Sequence, residues 1–122
     1  TAEVEGFEAG VWSPEAVAEA RAAGKGVFVD FTARWCVTCQ VNKRTTLSRP
    51  DVQAAMAEAN VVFLEADWTN RDDAIAKELA LHGRAGVPLY LFYAPGTAGE
   101  EPVILPQVLS PAFVIERVSA KS

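Results

Sequence analysis

The stretch Val27-Phe28-Val29-Asp30-Phe31-Thr32-Ala33-Arg34-Trp35-Cys36-Val37-Thr38-Cys39 joins an apolar run to a pair of thiols. From Val27 to Thr32 the run is broken only by Asp30 and a terminal threonine, so it predicts a central strand buried on both faces. A helix is expected to begin near Cys36 and to continue to about Leu47. Two thiols three residues apart across a first helical turn can close a disulfide with little backbone movement. The first lies beside backbone N–H groups that have no helical partner, where the helix dipole favours a thiolate. A thiolate is the form that attacks disulfides. The second, deeper thiol can then resolve the mixed disulfide. Three other readings compete. A structural disulfide here closes a tiny loop and stabilises little. Half of a zinc site shared between two chains finds no further cysteine, and the single histidine is distant in sequence. Two inert thiols are the third alternative.

Working outward, helix-like and strand-like segments alternate, which predicts an α/β architecture. Residues 1–12 are mixed, with Phe7 and Trp12 as core contacts. Ser13-Pro14-Glu15 reads as a helix start, with Ala16, Val17 and Ala20 on its inner face and Gly24 at its end. Pro50-Asp51 opens a helical piece through Met56, either continuing the previous helix after a kink or separate from it. Val61 to Ala66 is a second buried strand. Thr69 or Asn70 is expected to cap a helix from about Arg71 to His82, closed by Gly83. Leu89 to Tyr93 is a third strand, entered through Val87-Pro88, and Pro95 to Gly99 is a turn. Val103 to Leu105 reads as a short strand at a sheet edge, given its flanking prolines. Ser110-Pro111 starts a final helix lined by Phe113, Val114, Ile115 and Val118.

The chain has 122 residues, half of them apolar and 22% charged, which fits one globular domain over residues 1–122 and not a disordered tail. The 16 acidic residues outnumber the 11 basic ones, for a net charge of −5, and no basic run offers a footprint for nucleic acid. No apolar run approaches the roughly 20 residues of a membrane helix. The first residue is Thr1, with no signal-like segment behind it, so the chain reads as a processed protein or a piece of a longer one.

Around the thiols, Asp30 stands out because it interrupts an apolar strand six positions before Cys36. Desolvation penalises a charge there, so its carboxyl is expected to hold its proton tightly. Such an acid can take a proton from the resolving thiol, through a water, and return it later. The alternative is a hydrogen-bonded buried acid with no chemical part. Trp35 either shields the site and offers partners a flat apolar surface, or simply packs. Lys43 follows Cys36 by seven residues and Cys39 by four, sharing their helix face. It is positioned to favour a thiolate or to pair with Asp30, or else is a solvated surface lysine. His82 falls at a helix C-terminus, and Trp68 reads as structural. The spacer Val37-Thr38 contains no cation to stabilise a thiolate strongly, which leans toward a reductant over an oxidant.

A C-x-x-C pair in a strand-to-helix context is the signature of a thioredoxin-like redox site. The stretch Val29 to Cys39 resembles the active-site segment of that superfamily, and Val87-Pro88 resembles its cis-proline step. Within the superfamily the chain most resembles the C-terminal periplasmic domain of the DsbD and ScsB transmembrane thiol:disulfide interchange proteins. The resemblance is carried by Trp35-Cys36-Val37-Thr38-Cys39, by Asn42 to Leu47 with Pro50-Asp51-Val52, by Asp67-Trp68-Thr69, and by Leu105 to Ser110. It implies a thioredoxin fold, a central mixed sheet flanked by helices on both faces. It also implies a buried active-site acid at Asp30 and a cis bond at Pro88 that exposes the Val87 backbone to an extended partner segment. The implied role is reduction of protein disulfides through Cys36 and Cys39, without metal or added cofactor. Electrons would come from a membrane-embedded domain of the same parent protein and pass to another periplasmic domain or protein. The alternatives are a free-standing thioredoxin and a thioredoxin-fold binding or chaperone module with idle cysteines. One departure is plain: these relatives commonly carry a second acid on the active-site helix where this chain has Lys43.

Overall fold

A computed structural model of the chain describes residues 7, 9–97 and 99–119. In order, the elements are β1 (Ala9–Val11), α1 (Pro14–Ala22), β2 (Gly26–Thr32), α2 (Val37–Asn42), a π-helical turn (Lys43–Leu47), α3 (Pro50–Glu58), β3 (Val61–Asp67), α4 (Asp73–Leu81), β4 (Leu89–Tyr93), β5 (Val103–Leu105) and α5 (Pro111–Ser119). The strands form one five-stranded sheet in the order β1-β3-β2-β4-β5. β1 and β2 run parallel to β3, whereas β4 is antiparallel to both β2 and β5. Every residue of β2 is buried, as the apolar run predicts for a central strand. The mixed sheet and its helices are a thioredoxin-like fold.

Side chains alternate across the sheet, and the helices sort accordingly. Val27, Val29 and Phe31 face a core with Leu64, Leu89 and Leu91, covered by Ala16 and Val17 of α1 and Ile75 and Leu79 of α4. Phe28 faces the other way, toward Phe63, Tyr90 and Phe92, under Val52 and Met56 of α3 and Val114 and Val118 of α5. Trp12 is buried in the first core, and Phe7 packs on Phe63 at 5.7 Å between ring centroids.

Local chemistry accounts for most boundaries. Ser13 Oγ accepts the Ala16 N–H at 3.0 Å, with Pro14 at the first turn of α1. Ser110 does the same for α5 through the Phe113 N–H at 3.2 Å. Gly24 and Gly83, just past α1 and α4, take φ of +81° and +73°, the left-handed geometry that ends a helix.

Three expectations change, and one open alternative is decided. Residues 9–11, expected only to be mixed, pair with β3 as an edge strand; three residues are too few for a periodic signal. The helix expected from Cys36 to Leu47 breaks into α2 and the π-helical turn, where Thr45 Oγ1 bonds back to the Val41 carbonyl at 2.8 Å. α3 is separate, because Arg49 is extended (ψ 135°) ahead of Pro50. Neither Thr69 nor Asn70 caps α4. Asp72 does, its Oδ1 accepting the N–H groups of Ala74 at 2.7 Å and Ile75 at 3.2 Å. A carboxylate held by two donors outcompetes the neighbouring hydroxyl and amide.

Candidate redox site

The site lies where β2 runs out of the sheet into α2. Cys36 occupies the N-cap position, and its Sγ accepts the Cys39 N–H at 3.1 Å. The two cysteines form a disulfide with Cα atoms 5.2 Å apart. Cys36 is 8% exposed and Cys39 only 1%, so the first sulfur faces outward and the second inward. Ala33 and Val87 pack against the pair. The Val87–Pro88 bond is cis. Through Val87, the segment ahead of β4 packs against the cysteine pair, although it lies far from it in sequence.

The chain approaching Cys36 is held by the loop after β3. The Arg34 N–H donates to Thr69 Oγ1 at 2.9 Å, and the Trp35 indole N–H donates to the Thr69 carbonyl at 3.0 Å. Trp35 tilts against Trp68 at 6.0 Å, and the Arg71 guanidinium lies over both rings, 4.5 Å from Trp35 and 5.3 Å from Trp68. Arg71 reaches them from a left-handed backbone conformation (φ 54°). Trp35 still leaves 45% of its surface exposed, so it is both packed and presented. Trp68 is buried, its indole donating to the Asp72 carbonyl at 3.1 Å, in keeping with a structural part.

Asp30 is 1% exposed, and neither carboxylate oxygen has a hydrogen-bond partner among the described residues. Burial first, and then the charge of Glu65, push its pKa up to about 7, with Lys43 acting in the opposite direction. Thr32, two residues on and on the same face, also has an unpartnered buried hydroxyl.

Lys43 does not form an ion pair with Asp30. Its Nζ lies 2.8 Å from Glu65 on β3, and that hydrogen bond holds the ammonium above its ordinary range. His82 is the C-cap of α4 and meets Glu78 at 3.1 Å, away from the sulfurs.

Sequence reading missed Glu65, Asn42, Thr69 and Arg71. Glu65 had a visible signal, since it interrupts its apolar strand as Asp30 interrupts β2. Asn42 had none. Its amide donates to Tyr90 Oη at 2.8 Å and to the Gln107 carbonyl at 2.7 Å, while its Oδ1 accepts the Leu109 N–H at 3.0 Å. One buried side chain thus ties the end of α2 to β4 and to the segment before α5.

The pattern of the thioredoxin-like family matches residues 7–95. Among curated proteins, the thiol:disulfide interchange protein DsbD 1 of Pseudomonas aeruginosa is 41% identical over 81 residues, covering 66% of this chain and 13% of that protein. DsbD of Ralstonia nicotianae is 44% identical over 72 residues, covering 57% of this chain and 12% of that protein. The chain therefore spans only a small part of these relatives. Among solved structures, the reduced C-terminal domain of Neisseria meningitidis DsbD superposes with a TM-score of 0.66 at 23% identity, covering 87% of this chain and 94% of that domain. A thioredoxin from Thermus thermophilus gives a TM-score of 0.73 at 24% identity, covering 93% of this chain and 85% of that one.

Proposed function

Since this chain belongs to the thioredoxin-like family, we propose that it is a thiol–disulfide oxidoreductase of the DsbD type, working as a reductant of protein disulfides. The observation that carries the reading is the seat of the disulfide: Cys36 caps α2 through its own sulfur, more exposed than Cys39. An N–H aimed at that sulfur favours a thiolate once the pair is reduced.

The reaction balances without an added cofactor. The Cys36 thiolate attacks one sulfur of a partner disulfide, forming a mixed disulfide and releasing one partner thiolate. Cys39 gives up its proton, with Asp30 as acceptor through a water, and attacks the Cys36 sulfur. The second partner thiolate leaves, two electrons have passed to the partner, and the Cys36–Cys39 disulfide is restored. Asp30 suits this part because its pKa of about 7 lets it both take and return a proton near neutrality. The Val87 backbone is the docking edge for an extended partner segment, and exposed Trp35 is its apolar neighbour.

A restored disulfide must be reduced again by another dithiol. Similarity to DsbD proteins supports a wider reading, in which electrons would arrive from a membrane-embedded domain of a parent protein and leave to another periplasmic domain or protein. No helix among the described residues is long and apolar enough to cross a membrane.

The test is an insulin-disulfide reduction assay with a regenerating dithiol, together with equilibration against glutathione. Reduction of insulin and a potential nearer thioredoxin's, about −270 mV, than the oxidant DsbA's, about −120 mV, are expected. No turnover would make the chain a binding module with idle cysteines. A potential at the oxidant end would make it a disulfide donor.

A further inference from the structure

The register of the sheet lines up an ionisable row beneath α2 and the π-helical turn. Asp30 on β2 stands directly opposite Glu65 on β3 and Tyr90 on β4, all on one face. Lys43 reaches down to this row from the turn and bonds Glu65 at 2.8 Å. Asn42, its neighbour, reaches Tyr90 at 2.8 Å. The end of α2 and the turn that follows it are thus fastened to both strands that flank Asp30, while the Asp30 carboxyl bonds no described residue.

We propose that Glu65 is a positioning residue for thiol–disulfide exchange, holding the Lys43 ammonium away from the Asp30 carboxyl. This rests on the exchange reaction proposed above. The ion pair is a poor source of stability, since its side chains are 41% and 36% exposed and such pairs contribute about 0–1 kcal/mol. Its effect on a group in a low-dielectric site is larger. A buried carboxyl attracts any cation within reach, and Lys43 reaches this row. Were it to close on Asp30, the acid would stay ionised and could no longer hold a proton between steps. Glu65 competes for that ammonium and adds its own negative charge beside Asp30. Both actions keep Asp30 protonated to a higher pH, and Lys43 opposes them.

The other groups facing Asp30 do not substitute for Glu65. Tyr90 stays neutral, its phenol raised well above its ordinary range by burial. Asp67 lies two residues further along β3, exposed at its end, where its own hydrogen bonds to Thr69 keep it ionised. It also acts on Lys43, in the same direction as Glu65. α3 contributes Val52 and Met56 to this core and α5 contributes Val114 and Val118, and the buried residues of α2 are Cys39 and Asn42.

The test is the pH midpoint of the exchange rate, read beside the carbon-13 titration of the Asp30 carboxyl. The subjects are the parent chain, Glu65→Gln, Lys43→Met and the double variant. Glu65→Gln should move both midpoints down by about half to one unit, and Lys43→Met should move them up by a similar amount. The double variant should return close to the parent, because the removed charges act oppositely. In an Asp30→Asn background the shifts in rate should vanish. A merely structural ion pair would instead give two variants with equal small losses of stability and an unmoved pH profile. Shifts of the same sign in both variants, or none, overturn the proposal. If the parent reduces no disulfide, the proposed function fails, while the carboxyl titration still decides whether Glu65 and Lys43 act oppositely on Asp30.

Discussion

The two faces of β2 follow different rules. On one, Val27, Val29 and Phe31 are sealed by α1 and α4 into a core with no polar group among its buried members save the Trp12 and Trp68 indoles and the Tyr93 hydroxyl. On the other, Phe28 begins in the same manner, but Asp30 and Thr32 follow with buried polar atoms that no described residue bonds. A strand's period of two lets adjacent residues serve opposite ends. The odd-numbered face holds the sheet together. The even-numbered face accepts an unfavourable burial at the end nearest the sulfurs. Unpaired buried polar groups are destabilising, and perturbed acids cluster at functional sites, so on the proposed function this face would trade stability for chemistry.

The largest effect is expected at the sulfurs. Cys36→Ser should abolish insulin reduction while leaving the circular dichroism spectrum intact. Cys39→Ser should instead accumulate mixed disulfides at Cys36, visible on non-reducing gels. Equal trapping at either cysteine would erase the distinction between an outer attacking sulfur and an inner resolving one. In the reduced parent, iodoacetamide should label Cys36 first.

Next comes the apolar face. Phe31→Ala should lower unfolding free energy by about 3–5 kcal/mol in urea titrations. The exchange rate per folded molecule should remain within about twofold of the parent. A rate loss that tracks the stability loss would mean that the two faces are not separable.

Asp30→Asn should act in the reverse sense. Resolution by Cys39 should slow on the order of 10- to 100-fold near neutral pH. Stability should change with pH in a defined direction. The folded acid titrates at about 7 and the unfolded one near the ordinary 3.8, so the folded state binds the proton more tightly. The parent is then most stable below pH 4 with respect to this group, and loses up to about 4 kcal/mol as pH rises through 7. The variant should lack that decline and be the more stable protein at pH 8. Urea midpoints measured from pH 4 to 8 decide it; parallel curves would make Asp30 an unperturbed acid.

The smallest effect belongs to the rim. Trp35→Ala removes a half-exposed ring and its stacking with Arg71, so thermal stability should fall by no more than about 1 kcal/mol. Its KM for a protein disulfide should rise more than its kcat falls. A kcat loss alone would place Trp35 in the chemistry and not in docking.

Some of this was legible from short-range signals. The Ser13-Pro14 and Ser110-Pro111 starts are caps made by neighbours in sequence, and both formed. Asp30 announced itself because a charge inside an apolar strand has few explanations. β1 was not legible, because its three residues become a strand only by pairing with Phe63, Leu64 and Glu65 of β3. The start of α4 was misread because several polar residues in a row can each cap a helix, and only the packed loop decides among them.

The sequence by itself determined the central strand, the cysteine pair at a helix start and the acid beneath it. Those depend on periodicity, capping and spacing within a few residues, where the covalent chain limits the possibilities. Only the tertiary structure decided that Lys43 bonds Glu65 and not Asp30, that Asn42 ties α2 to the segment before α5, and that Val87 packs on the sulfurs. The hydrogen bonds among them join residues 22 to 67 positions apart. Strand register settles which of them form, and register is fixed by the burial of both sheet faces together, not by any local stretch.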